Sequence, residues 1–229
     1  MTNFEDFGLL TEVLRAIYSA DAADFPQVLD DLTGAAARWV PGAQGAGITV
    51  TSRENEVSTP SVTDDYARLL DEFQQRHLEG PCVHAAWSRK VVSVEDLNTD
   101  SRWPKYQADA LAHTPIRSIL SLPMFADELS MGALNFYAER PHAFSDDSRQ
   151  VAATFAALGA LAWSNVVRTQ QFRDALSTRD TIGQAKGILM ERYDLDDETA
   201  FNTLIKLSQS TNTRLRDVAR RVIEDATSR

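Results

Sequence analysis

The sequence predicts an α+β fold followed by an all-helical tail, and three observations carry that prediction. Segments of strand character come in adjacent pairs, with helical segments outside the pairs. That is the pattern of an antiparallel sheet and not of a parallel doubly wound one. Residues 146 to about 192 contain no proline and show almost continuous helical periodicity. The last 40 residues then read as two short helices.

Along the chain, residues 4–20 place Phe7, Leu10, Leu14 and Ile17 at helical spacing. A second helix is expected from Phe25 to Trp39, with Asp24 at its start, Pro26 in its first turn and Pro41-Gly42 as its stop. "GAGITVT" at 45–51 reads as a strand, and a turn through "SREN" leads to a weaker one at 56–62. Asp64 to His77 reads as helix with Tyr66, Leu69, Leu70 and Phe73 on one side. Further strands are expected at 89–96, 118–125 and 131–138.

In the long helical stretch, Val151, Phe155, Leu158, Ala162, Asn165, Thr169, Phe172 and Leu176 follow alternating steps of four and three. One helix shows such a seam to a copy of itself. Asn165 and Thr169 would weaken the pairing or set its register, and packing on the chain's own sheet would explain the same spacing. Both can hold at different heights along one helix. In the tail, Asp196, Asp197 and Glu198 stand at a helix start, where the dipole favours them. Ala200, Phe201, Leu204 and Leu207 form a stripe, "SQSTNT" at 208–213 reads as a polar loop, and Asn212 or Thr213 would cap a last helix that buries Leu215, Val218, Ala219 and Val222.

The chain has 229 residues and a net charge of −10. That charge argues against non-specific coating of nucleic acid. Residues 172–229 hold 10 Lys+Arg and 10 Asp+Glu, leaving 13 and 23 to the rest, so an acidic body precedes a neutral tail. The longest apolar run, around Phe155 to Trp163, is broken by Gly159 and too short to span a bilayer, so no membrane association is expected. The acidic first residues predict neither a secretory signal nor a transit peptide. A single cysteine, Cys82, excludes an internal disulfide framework, fits a reducing compartment and points to a cytoplasmic location.

Candidate chemistry is sparse. Cys82 and His84 suggest a nucleophile or thiol switch, but no resolving cysteine or third group accompanies them, and a small buried residue at a helix start explains Cys82 better. His77, His84, His113 and His142 lack metal-ligand spacing, and no phosphate-binding glycine motif is present, so neither metal nor cofactor nor enzymatic activity is expected. The unusual residue is Lys186, inside a helix with glycines at 183 and 187. Glycine costs about 1 kcal/mol against alanine in a helix interior, so two of them four apart need a reason. They admit another backbone, either a packed helix or a nucleic acid. On a wheel of about 100° per residue, Ile182, Ala185 and Leu189 face the short helices, and Arg179, Gly183, Lys186 and Met190 make the neighbouring strip. A solvated lysine lying over apolar neighbours would also account for Lys186.

Two stretches resemble known families. The tail from 177 resembles an ANTAR domain, the RNA-binding output module of transcription antitermination regulators. It shares the A-K-G-I-L-M core at 185–190, E-x-A-F at 198–201 and the closing L-x-x-V-A-R at 215–220. The body, over roughly 25–165, resembles a GAF domain, a small-molecule-sensing α+β fold. The matching residues are "EGPCVHAAWSRKVVSVEDLNTDSRWPKY" (79–106) and "RSILSLPMFADELSMGALNFYAERPHAFSDD" (117–147), of the subtype seen ahead of ANTAR tails in actinobacterial regulators. Thr114-Pro115 departs from the glycine usual there.

The resemblance implies a dimerising N-terminal helix (1–23), a GAF-like sensor (24–165), a connecting helix or coiled coil (145–180) and an RNA-binding output domain (172–229). It turns Lys186 from a solvated residue into an RNA contact. Arg179, Gln184, Lys186, Gly187, Met190, Lys206, Ser208, Asn212, Thr213 and Arg214 would then form the RNA-binding surface, with cations on phosphates and loop hydroxyls and amides reading unstacked bases. Tyr193 would stack on a base or close a hinge. Cys82, Trp103, Phe125 and Phe136 either line a sensor pocket for an unidentified small molecule or belong to the core, and their residue types suit both. The partners implied are paired RNA stem-loops and a second copy of the chain, through the N-terminal and connecting helices. Two alternatives remain: a DNA-binding helix-turn-helix, from "TRLRDVARRV", and a small-molecule or redox GAF protein. The former lacks a recognition helix after Asp225.

Overall fold

A computed structural model describes residues 11, 14, 15, 17, 25–51, 57–125 and 131–227, with the side chain of Phe125 outside that set. The elements are α1 (Phe25–Trp39), β1 (Gly45–Thr51), β2 (Val57–Val62), α2 (Asp65–His77), α3 (Pro81–Ser88), β3 (Val92–Val94), α4 (Pro104–His113), β4 (Ser118–Phe125), β5 (Met131–Ala138), α5 (Asp146–Tyr193), α6 (Asp197–Thr211) and α7 (Leu215–Thr227). The chain divides into two compact units between Val167 and Arg168. The expected helix over 4–20 and the "SREN" turn lie mostly or wholly outside the described residues; Ile17 is buried in the first unit's core.

The first unit is a five-stranded antiparallel sheet in the order β2–β1–β5–β4–β3. Every residue of β1 is buried, as is every residue of β5, because helices cover both faces. Strand alternation sorts the side chains. Leu134, Phe136 and Ala138 point to one core, built with Leu29, Leu32 and Ala36 of α1 and Ala152, Phe155 and Ala162 of α5. Ala133 and Tyr137 point to the other, built with Leu70 and Phe73 of α2, Ala85 of α3 and Tyr106 and Ala110 of α4.

Several expectations are corrected. On α2 the inner positions are Ala67, Leu70, Asp71, Phe73 and Gln74, whereas Tyr66 is 43% exposed. Two polar residues with internal partners have turned the helix away from the purely apolar wheel. Strand β3 is three residues long instead of eight, since it pairs with β4 alone, from Val92 opposite Ser121 to Val94 opposite Ile119. Helix α4, with Pro104 in its first turn, is additional to the expected elements. The Thr114-Pro115 turn works without glycine: the Thr114 hydroxyl donates to Ala110 O at 2.8 Å and its backbone is extended.

Helix α5 is continuous for 48 residues. Its first part belongs to the sheet: Ala152, Phe155, Ala156, Leu158 and Ala162 are buried. Gly159 permits that approach, because a Cβ there would stand 3.0 Å from Met124 Sδ on β4. Phe172 and Leu176, further along, are 65% and 45% exposed. The proposed seam is therefore consumed by the protein's own core up to Ala162 and open beyond it. Contrary to the broken-run argument, an 18-residue window of this helix reaches a mean hydropathy of 1.3, enough by length and composition to cross a membrane; a third of the window is already buried against protein.

The second unit packs the end of α5 with α6 and α7 around Ala185, Leu189, Ala200, Leu204, Val218 and Ala219. Asp194, at φ 51°, reverses the chain after α5, and Leu195 N donates to Met190 O at 3.2 Å. Asp196 caps α6 by accepting from Thr199 N at 2.7 Å. The predicted polar loop at 208–213 is instead helical through Thr211. The hydroxyls of Ser210 and Thr211 bond back to Leu207 O at 3.1 and 2.7 Å, so polar composition does not break the helix there. Asn212, at φ 47°, closes α6 rather than opening α7.

Candidate nucleic-acid interface

The strip beside the three-helix core begins with Arg179, which is exposed and makes no hydrogen bond or ion pair among the described residues. Gln184, Gly183 and Gly187 are exposed as well. A Cβ built on either glycine meets nothing within 4 Å. Of the two reasons offered for these glycines, a packed helix is therefore excluded among the described residues, and the notched face is open there to another backbone.

Lys186 is different. Its Nζ lies 2.5 Å from Asp197 Oδ1 in the first turn of α6, with side-chain exposures of 21% and 72% for the two partners. The same ammonium stands 5.8 Å from the centroid of the Phe201 ring. It is thus neither a free solvated lysine nor an isolated cation. Lys186, Asp197 and Phe201, with Arg179, Gly183 and Asp174, line a groove of about 1090 Å³ between α5 and α6. In the sequence Asp197 reads only as a carboxylate favoured by the helix dipole and Phe201 as part of the core stripe, and nothing there marks either as a partner of the lysine. Phe201 is 37% exposed.

The remaining candidates separate. Met190 packs against the three-helix core instead of standing on the open strip. Lys206 and Arg214 are exposed. Ser208 and Thr213 are engaged in the α6–α7 turn: Ser208 Oγ donates to Thr213 O at 2.6 Å, Thr213 N to Ser208 O at 3.0 Å and Thr213 Oγ1 to Thr211 O at 3.2 Å. Their hydroxyl protons are committed, so toward a base they offer lone pairs only. Asn212 holds the turn by backbone conformation. Tyr193 is 61% exposed and does not close the hinge, which Asp194 makes instead.

In the first unit the four candidate pocket residues do not share a site. Phe136 points to the α1–α5 side of the sheet and Trp103 packs on the other, so strand alternation separates them. Phe125's side chain lies outside the described residues. Around Cys82 there is a buried polar network instead. Asp71 Oδ2 accepts from the hydroxyls of Thr49 and Thr59, both at 2.7 Å, and Oδ1 accepts from Gln74 Nε2 at 2.9 Å. Gln74 Oε1 in turn accepts from Cys82 N at 2.8 Å, and Cys82 Sγ lies 3.7 Å from the Tyr137 hydroxyl. Burial pushes the Asp71 carboxyl up to about 6 against the lowering effect of its hydrogen bonds with Thr49, Thr59, Gln74 and Cys82. Burial, reinforced by the Asp71 charge, pushes the Cys82 thiol up to about 12. A reactive thiol needs the opposite shift, so this environment opposes the redox reading.

The first unit is a two-faced sheet with helices on both sides, and the second is a three-helix unit with an open, glycine-notched face. The GAF domain family model matches residues 22–164 and the ANTAR domain model matches residues 170–223. The chain belongs to the GAF family and carries an ANTAR domain after it. ANTAR domains are RNA-binding antitermination modules and GAF domains are sensors, both regulatory and not catalytic. No curated protein matches the sequence.

Solved structures agree on the fold. The GAF domain of an Acinetobacter phosphoenolpyruvate-protein phosphotransferase is similar with a TM-score of 0.56 at 14% identity, covering 73% of this chain and 97% of that one. The corresponding Coxiella burnetii domain gives 0.54 at 12%, covering 72% and 96%. An N-acylhomoserine lactone-dependent LuxR-family transcription factor from Burkholderia cenocepacia gives 0.55 at 14%, covering 74% and 99%.

Proposed function

We propose that the protein is a cytoplasmic, dimeric antitermination regulator whose two output domains each take one hairpin of a paired stem-loop in a nascent transcript, preventing an overlapping terminator from forming. The output domain would span 172–229, the sensor 24–165 and the connecting helix 145–180. The observation that carries the reading is the open glycine notch: Gly183 and Gly187 are exposed, a Cβ on either would meet nothing within 4 Å among the described residues, and beside them Arg179 is exposed and unpaired among the same residues. A backbone that approaches such a surface closely and brings phosphates satisfies both features. Lys206 and Arg214 would hold flanking phosphates, and Gln184 is free to reach a base edge.

Dimerisation is supported by Phe172 and Leu176, large apolar side chains left 65% and 45% exposed on a helix at coiled-coil spacing. A second copy covering them removes apolar surface from water. Signals in the sensor would alter the pairing or rotation of the long helices and so the spacing of the two output domains. Filter binding with two-hairpin RNA, one-hairpin RNA and duplex DNA tests the reading. Tightest retention of the two-hairpin RNA is expected, with weaker retention after Lys186→Ala. Preference for duplex DNA would overturn it in favour of a helix-turn-helix factor.

A further inference from the structure

The groove that holds Lys186 is a poor place for a phosphate as it stands. Its lining contributes four carboxylates, Asp174, Asp180, Asp197 and Glu198, against two cations, Arg179 and Lys186. Only one carboxylate is in direct contact with the lysine, that of Asp197 at 2.5 Å. Carboxylate and phosphate oxygens accept the same charge-assisted hydrogen bonds from an ammonium. The Phe201 ring lies near the ammonium as well. Asp197 itself is 72% exposed, so the pair contributes little to holding the helices together. Its consequence falls instead on what else Lys186 can bind.

We propose that Asp197 is a built-in competitor for Lys186, occupying the position at the ammonium that an RNA phosphate would take, so that RNA engages this lysine only by exchange. The proposal rests on the RNA-binding reading of the same face and adds its regulation. In the paired state the output domain is held at low affinity. Exchange replaces one anion by another at the lysine and releases Asp197 to water, so the lysine contributes less to binding than an unpaired one would. A shift of the first turn of α6 away from α5 frees Lys186 and raises affinity without creating any new contact. Glu198, adjacent in the same turn and lining the same groove but making no ion pair with Lys186, is the matched reference for charge alone.

The test uses the full-length chain and a two-hairpin RNA selected on the wild-type protein from a loop-randomised pool. Asp197→Asn is expected to tighten binding by about three- to tenfold at low salt, with the advantage shrinking as salt rises. Glu198→Gln should change it much less. In a Lys186→Ala background the Asp197→Asn gain should vanish, since the coupling requires both residues. Asp197→Ser, a second neutral variant that suits a helix start, should reproduce the gain if the asparagine disturbs the fold in thermal melts. Weaker binding by both neutral variants, an equal gain from Glu198→Gln, or a gain that survives Lys186→Ala would overturn the competitor. Failure of every form, wild type included, to retain any RNA from the pool would overturn the RNA-binding reading and the competitor with it.

Discussion

The Thr49 hydroxyl donates a 2.7 Å hydrogen bond to the carboxylate of Asp71, joining strand β1, second from one edge of the sheet, to helix α2. The acid is 3% exposed, and burial pushes its pKa up from 3.8 to about 6. The folded sensor therefore binds this proton more tightly than the unfolded chain does. Its contribution to stability is fullest below about pH 4 and is lost as pH rises through 6. A shift of this size corresponds to about 3 kcal/mol. Urea unfolding of wild type and Asp71→Asn from pH 4 to 8 should show wild type losing stability relative to the variant by roughly that amount. A pH-independent difference would contradict the buried charge.

Cys82 should be inert. Burial, reinforced by the Asp71 charge, pushes its thiol up to about 12, so the reactive thiolate is scarce at pH 8. Labelling by a disulfide reagent at that pH should be slow in the native protein and become fast in urea. Rapid native labelling would restore a thiol-switch reading.

The glycines of α5 should divide into two kinds. Gly159→Leu forces a side chain into the space taken by Met124 and should destabilise the GAF domain by about 1–3 kcal/mol. Gly183→Ala and Gly187→Ala meet no neighbour, and each should stabilise the ANTAR unit by up to about 1 kcal/mol through helix propensity. The same two alanines should weaken RNA binding if a backbone closes on the notch. Calorimetry and filter binding on the same variants separate the effects, and tighter RNA binding would argue that the glycines serve something else.

The end of α6 offers a purely structural check. Asn212 sits at φ 47°, which glycine tolerates and β-branched residues do not. Asn212→Gly should leave the melting temperature nearly unchanged, whereas Asn212→Val should cost about 1–2 kcal/mol. Equal melting of the two would contradict the left-handed cap.

The ANTAR unit was largely legible in the sequence because its helices repeat at three and four residues and its core positions, Ala185, Leu189, Ala200, Leu204 and Val218, are all apolar. Strands β1, β2, β4 and β5 were legible for a similar reason. Other features depend on partners distant along the chain. Asp71 and Gln74 look like surface residues until Thr49, Thr59 and Cys82 arrive from elsewhere to satisfy them. Helix α4 is short and contains small and charged residues, so its burial of Tyr106 leaves no periodic trace. Trp103 and Phe136 look equivalent in a string of letters and are separated by the thickness of a sheet. The Lys186–Asp197 pair crosses a chain reversal whose geometry is set by Asp194, a residue with no motif value.

The most direct test of a twofold grip on RNA is the mass of the complex. Native mass spectrometry of the full-length protein with a two-hairpin RNA should give two chains per RNA, and Phe172→Glu with Leu176→Glu should reduce this to one chain with weaker retention. A single wild-type chain occupying both hairpins would contradict the account.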